Sequence, residues 1–390
     1  MTWHLCRLPF FEKVHYDLAE KLEQWRTENC DLFDLHPDGN YRPIYRKVLG
    51  RLATAGLLDH LLPQTKGEVI PRPDVRSLCI IREALAFDSF LVDAIFIMQG
   101  LGTAPLWHHR DRALRERVLS ACRAGTQIAA IACTEPSGGS DLAQVATTAA
   151  LDGSNYVLNG EKAWITSAGV ADHYIVVART DEGPGARGLS VFLVPATVAG
   201  LEVDADVPMI APHSIGSLRF INCRVPASNL IGAAGSGFKA AMRTFDIFRP
   251  TVGAAAVGGA RRALQETLER AKTRQMFGRK MSELDAVQAR VADMVTDTEI
   301  AALTVYRAAW MSDVIGGRIS RDAAMAKLVA TEAASRVIDS AVQLFGALGV
   351  ARGSVIERLY REIRPLRIYE GASEVQRMII GRSVLAGLDE

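Results

Sequence analysis

Apolar residues recur at helical spacing through the first 126 residues. Leu18, Leu22 and Trp25 stand at i, i+4 and i+7, and Val48, Leu52 and Ala55 continue the period in the next segment. Residues 77–101 are apolar enough for one buried helix, or for two broken near Asp88-Ser89. From residue 127 to 236 the turn residues crowd in and apolar runs shorten to strand length, at 147–151, 156–158, 174–178, 190–194 and 217–221. Asp152-Gly153 and Asn159-Gly160 predict tight turns, and GPGARG at 183–188 predicts an exposed loop. After Gly235-Ser236-Gly237 long Ala-, Arg-, Leu- and Glu-rich segments predict helices over 238–274, 284–315 and 321–348, with Gly316-Gly317 and Gly346 as ends. Helices of this length suggest a bundle. The expected class is α+β, with a helical region at 1–126, a β-domain at 127–236 and a C-terminal helical bundle at 237–390.

Composition narrows the partners. Forty-five Lys and Arg against 44 Asp and Glu leave a net charge of +1, which argues against nucleic acid and anionic membranes as partners. No apolar run comes near the roughly 18 residues of a membrane span. Arg7, Glu12 and Lys13 arrive too early for a signal-peptide core. Cysteines at 6, 30, 79, 122, 133 and 223 form no CxxC or Cys/His spacing, so no metal site is expected and a reducing cytoplasm is the expected setting.

Three segments carry candidate chemistry. IACTEPSGGSDL at 131–142 contains a Ser-Gly-Gly-Ser run whose backbone N–H groups and hydroxyls could meet a ligand closely, or simply form a loop entering the β-domain. GEKAWITSAG at 160–169 sets Trp164 between polar groups, where a lone tryptophan is usually core. RIYEGASEVQRMIIGR at 367–382 holds Glu370 before a helical run, as a cap, a surface residue or a base. The adjacent His108-His109 read as an exposed polar turn rather than a metal pair. The basic run before Phe277 and the ribbon Arg352, Arg358, Arg361, Arg364 and Arg367 read as solvated faces and inter-helix ion pairs.

TEPSGGSDL, EKAWITS and RIYEGASEVQR, in this order on a helix–sheet–helix layout, resemble the acyl-CoA dehydrogenase family, and the resemblance covers nearly the whole chain. It implies that family's fold, a non-covalent FAD held without a dinucleotide fold, and α,β-dehydrogenation of an acyl-CoA thioester. Electrons would pass to an electron-transfer flavoprotein. It implies FAD contacts from Ile131, Cys133, Thr134, Gly139 and Ser140, with Trp164, Ile165 and Thr166 covering one side of the isoalloxazine. RQMFG resembles the family's R-x-x-F-G, so Arg274 and Phe277 would reach FAD across a subunit interface in a dimer or tetramer. Gln343, Gly346 and Ala347, with Ala372 and Glu374, would serve the rest of the cofactor. Ser140, Asp246, Arg249, Tyr369 and Gly371 would meet the substrate, and Glu370 would be the catalytic base, in a dry site beside Ile368 and Tyr369.

The sequence departs from the family pattern at Asp285, Ala347 and Ala372, where Gln, Gly and Thr are common. Some relatives place the base in the segment matching TFDIFRP, but that position here is Phe248. Ile97 and Met98, in a segment resembling the helix under the acyl pocket, favour a short, branched or cyclic acyl group. The alternatives within the fold are an acyl-thioester oxidase, a carrier-protein-tethered acyl dehydrogenase, a flavin monooxygenase or nitroalkane-type oxidase, and a non-catalytic FAD-binding homologue.

Overall fold

The computed structural model describes residues 8–35, 39–62, 64, 72–180, 183–205 and 207–387. The first seven residues, read above for a targeting segment, lie outside the described residues. The N-terminal region holds α1 (Lys13–Glu28), α2 (Tyr41–Thr54), α3 (Val75–Asp88), α4 (Phe90–Leu101) and α5 (Arg112–Arg123). The middle region holds β1 (Ala129–Ala132), β2 (Thr148–Asp152), β3 (Asn155–Thr166), β4 (His173–Arg179), β5 (Leu189–Pro195), β6 (Leu201–Asp204), β7 (Ile215–Pro226) and β8 (Leu230–Ile231). The C-terminal region holds α6 (Gly237–Thr273), a hairpin of β9 (Gln275–Met276) and β10 (Arg279–Lys280), then α7 (Asp285–Trp310), α8 (Ser320–Phe345), α9 (Val355–Ile363) and α10 (Ser373–Leu385).

The chain forms two compact units, one of Met1–Asp34, Asp74–Asp93 and Asp246–Glu390, the other of Leu35–Pro73 and Ala94–Phe245. In the first, α7 runs along α8, α9 and α10 pack on α8, and α3 packs on α1 and α7. Helix α6 approaches α3 so closely that a β-carbon at Gly258 would lie 2.3 Å from the Glu83 carbonyl oxygen. Helix α7 ends in a π-helical turn, Met311–Ile315. Its Asp313 accepts from the backbone N–H groups of Val75 (2.8 Å) and Arg76 (3.0 Å), two orphan donors at the start of α3.

In the second unit the sheet order is β6-β7-β3-β2-β4-β5-β8, with β1 parallel to β4. Strands β4 and β5 are buried along nearly their whole length, as strands covered on both faces are, whereas β7 alternates between buried and exposed positions. Asp152 pairs with Asn155 across a turn at Gly153 and Ser154, as the sequence predicts. Asn159-Gly160 is not a turn. It lies inside β3, where the register against β7 shifts between Leu158 and Gly160, so the dipeptide makes a bulge. Gly160 is required there, since a β-carbon would fall 2.7 Å from the Thr147 Cα and φ is +143°.

Two other expectations fail. Phe90–Trp107 is apolar and long enough, by composition, to cross a membrane, so the reading that no such run exists was too strict. That stretch is 94% buried inside the fold, which makes it a core element. His109 is buried, not part of an exposed turn: its Nε2 lies 3.0 Å from the Ser228 carbonyl, and its Nδ1 accepts from the Asp111 N–H.

Candidate active site

In the helical unit, the chain between α9 and α10 is bent back on itself. Pro365 starts a 3-10 turn, Arg364–Arg367, and its carbonyl accepts from the N–H groups of Ile368 and Tyr369. Glu370 (φ +53°) and Gly371 (φ +92°) then take left-handed conformations before α10 begins. Glycine suits the second position on two counts, because a β-carbon would also lie 2.5 Å from Nε2 of Gln376. Glutamate at the first is strained and must be held by its surroundings. Donors from three helices do so. Gln376 Nε2 donates to the carbonyls of Glu370 (3.2 Å) and Gly371 (2.8 Å), Arg249 Nε to that of Glu370 (3.3 Å), and Lys327 Nζ to that of Gly371 (2.8 Å).

One oxygen of the Glu370 side chain, Oε2, is buried and left without a hydrogen-bond partner among the described residues. Burial raises its proton affinity above that of an ordinary glutamate, and the cations Arg82, Lys327 and Arg249 pull it partly back. The neighbouring carboxylates are occupied. Asp93 takes both Nε (2.8 Å) and Nη2 (2.6 Å) of Arg82, whose Nη1 donates to Thr251 Oγ1 (3.0 Å). Asp246 receives Arg249 Nη1 (3.3 Å) and Ser320 Oγ (2.6 Å). The arrangement offers one carboxylate able to accept a proton, beside a Tyr369 phenol whose acidity is weakened by burial. Taken over the whole residue, Ile368 and Tyr369 are both exposed, so the dry site expected beside them is not found at their side chains; what is shut off from solvent is the Glu370 Oε2 itself.

In the sheet-bearing unit the glycine–serine loop hangs from a buried anchor. Glu135 accepts from Lys162 Nζ (2.8 Å), Thr147 Oγ1 (2.6 Å) and the N–H groups of Thr147 (2.9 Å) and Ala146 (2.8 Å). Lys162 also donates to the Cys133 carbonyl. Burial works against the Glu135 carboxylate, but the bonds from Lys162 and Thr147 hold its pKa below the ordinary value. Residues 136–140 are then exposed, Gly139 and Ser140 among them, with Gly139 lying against Thr134. Ile165 is buried and Thr166 half-buried at the end of β3. Ile131 and Cys133 are half-buried too, and burial pushes the Cys133 thiol up to about 11.

Trp164 is 59% exposed, against the expectation of a core tryptophan. A second register shift in β3, between Lys162 and Ile165, with Trp164 at φ +60°, turns the indole outward. Phe277 is 87% exposed at the tip of the β9–β10 hairpin, where Phe277 and Gly278 both have positive φ. The hairpin's base is anchored by Met276 and Met281 packing on Ala271 and Val287. Arg274 is exposed before it. Gln343, Gly346 and Ala347 are exposed at the C-terminal end of α8. Ala372 is the N-cap of α10 with no side-chain cap, and Glu374 is exposed in its first turn. The second basic ribbon is mixed: Arg361 pairs with Glu357 within α9, whereas Arg367 reaches Glu332 of α8.

Sequence reading missed Arg82, Lys327, Gln376 and the Glu135–Lys162 pair. For Lys327 a signal existed, a lysine on the α8 stripe shared with Ala323, Ala330 and Ala334.

Sequence profiles of the acyl-CoA dehydrogenase middle domain and of the acyl-CoA dehydrogenase C-terminal domain match residues 130–223 and 235–385. The chain is 36% identical over 341 residues to cyclohexane-1-carbonyl-CoA dehydrogenase of Geobacter metallireducens, covering 87% of this chain and 89% of that one. This protein belongs to the acyl-CoA dehydrogenase family. Human mitochondrial short-chain specific acyl-CoA dehydrogenase is 36% identical over 291 residues, 74% of this chain and 70% of that one. The structure of butyryl-CoA dehydrogenase from Megasphaera elsdenii superposes with a TM-score of 0.87 at 30% identity, over 96% of this chain and 99% of that one. An acyl-CoA dehydrogenase is an FAD-dependent oxidoreductase, and the helical, β and helical regions found here are those of its fold.

Proposed function

We propose that this acyl-CoA dehydrogenase oxidises the α,β bond of an acyl-CoA thioester, with Glu370 removing the α-proton. The observation that carries the reading is the buried, unpartnered Oε2 of Glu370 on a backbone clamped in a left-handed turn. An α-proton beside a thioester is far too weak an acid for a free carboxylate near pKa ~4.3. Burial moves Glu370 the right way, making it a stronger base, while the nearby cations offset part of that shift. FAD, when bound, would accept the β-hydrogen as a hydride equivalent.

The residues present suit that cofactor. Trp164 and Phe277 offer broad aromatic faces from strained backbone, which is expected where a rigid planar group is gripped. We assign FAD contacts to Ile131, Cys133, Thr134, Gly139, Ser140, Trp164, Ile165 and Thr166, and to Arg274, Phe277, Gln343, Gly346, Ala347, Ala372 and Glu374. Substrate contacts fall to Ser140, Asp246, Arg249, Tyr369 and Gly371. Ile97 and Met98, buried on α4, support a short, branched or cyclic acyl group, in keeping with the cyclohexanecarbonyl substrate in the relative's name. An electron-transfer flavoprotein would reoxidise the flavin, and Arg274 and Phe277 would complete a neighbour's site in a cytoplasmic dimer or tetramer.

The test is anaerobic single-turnover flavin reduction by a short acyl-CoA. Glu370→Gln keeps size and removes the acceptor, so the rate should fall by about 10²–10⁴-fold with FAD content unchanged. Bleaching within a few-fold of wild type would sink the assignment of Glu370.

A further inference from the structure

Lys327 is fully buried on α8, and its ammonium has no carboxylate within ion-pair distance among the described residues. A buried charge without a paired counter-charge is costly and calls for a reason. The hydrogen bond it makes, 2.8 Å to the Gly371 carbonyl, lands on the residue that follows the base. Gln376 donates to the same oxygen, which ends a turn of two successive residues with positive φ, Glu370 and Gly371.

We propose that Lys327 is a positioning residue for Glu370: its ammonium holds the Gly371 carbonyl and so fixes the left-handed turn that aims the base. The inference rests on Glu370 being the base. Groups from every surrounding element enter the balance. Burial draws the Lys327 proton off most strongly; Glu370, Glu332 and Glu374 hold it on, and Arg249 opposes it, leaving Lys327 at about 8. Glu332 is already engaged by Arg367 (3.0 Å) and Ser373 (2.6 Å), and Glu374 is exposed. Glu370 is therefore the neighbour whose charge is uncommitted. From its side Glu370 faces Arg82, Lys327 and Arg249, with Asp93 opposing. Arg82 is bound fork-on to Asp93, and Arg249 shares Asp246, so Lys327 is the cation among these three not tied to a carboxylate.

When Lys327 loses its proton, the turn that aims Glu370 loses its charged donor. The wild-type flavin-reduction rate should then decline above a pH near the Lys327 value of about 8. Arginine at this position stays charged, with a pKa of ~12 or above, so the holoenzyme of Lys327→Arg should keep its rate to about pH 9.5. Lys327→Met should reduce flavin roughly 10–100-fold more slowly, with acyl-CoA affinity changed far less and the acid limb moved to higher pH. A purely structural lysine would move neither limb.

The experiment is anaerobic flavin reduction by butyryl-CoA from about pH 5 to 9.5 for wild type, Lys327→Arg and Lys327→Met, with Glu370→Gln alongside. An alkaline limb that persists in Lys327→Arg overturns the proposal. So does a wild-type rate flat from about pH 7 to 9.5, which decides the matter even if neither lysine variant folds. If Glu370→Gln reduces its flavin normally, the base assignment fails instead.

Discussion

The Lys162 ammonium lies 2.8 Å from Oε1 of Glu135, both side chains shut off from solvent, and the glycine–serine loop depends on that pair. Removing one partner of a buried pair strands the other charge and costs about 3–5 kcal/mol. Lys162→Met should therefore lower the denaturation midpoint and release FAD, whereas Glu135→Gln, which keeps an acceptor oxygen, should do less of both. Equal effects, or none, in a denaturant titration with flavin absorbance as the second readout would contradict the anchor.

Ala372 begins α10 without a side-chain cap. A hydroxyl there can accept from the N2 or N3 N–H, so Ala372→Thr should stabilise the protein by about 1 kcal/mol. Urea melts of the two holoproteins would show it as a rise in midpoint at constant slope.

Glu370 sits where protonation is favoured. A carboxyl with a folded-state pKa above its unfolded one makes the protein less stable as pH climbs through that window and beyond. Glu370→Gln should thus melt at a higher temperature than wild type at about pH 8, with the gap closing near pH 4, below both values. In the same window kcat/KM of wild type should show its acid limb above the ordinary glutamate range. A variant less stable than wild type at alkaline pH would contradict the strained, desolvated site.

His173 is buried at the start of β4, its Nε2 lacks a partner among the described residues, and burial drives its pKa down to about 4. The unfolded chain, near ~6.5, binds the proton first, so stability is full above that pH and declines as pH falls toward 4. The slope from this one group reaches roughly 1.4 kcal/mol per pH unit. His173→Gln should flatten it, as read from melts between about pH 7 and 4.

Phe277 projects from a hairpin whose base is packed while its tip is bare. If a neighbouring subunit's FAD lies beyond that tip, Arg274→Ala should weaken FAD binding by about 1.5–3 kcal/mol, the range for a lost charge-assisted bond. Light scattering of the wild type tests the premise; a monomer with full flavin would refute it.

Periodicity and punctuation made much of the fold legible. Leu18, Leu22 and Trp25 mark the buried face of α1, and Gly316 and Gly346 end their helices as read. The family's motifs brought Glu370 into view. What stayed hidden depends on backbone detail that residue type does not encode. Asn159-Gly160 has the composition of a turn and forms a bulge, and a second bulge two turns of the pleat later makes an outward platform of a residue type that is usually core. Lys327 and Arg82 were passed over because a lone cation in an Ala- or Leu-rich run reads as a solvated face, and only the packing of α3 and α8 turns each inward.

The π turn after α7 bears on which insertions and deletions the chain tolerates. Its wide loop, closed by the Gly316 N–H to the Met311 carbonyl, sets the heading of Asp313 toward the first amides of α3. Excising one residue between Trp310 and Gly316 would tighten the turn to α-helical pitch and swing that carboxylate by about 100°. A change of chain length before Gly316 would therefore cut α3 loose from its anion.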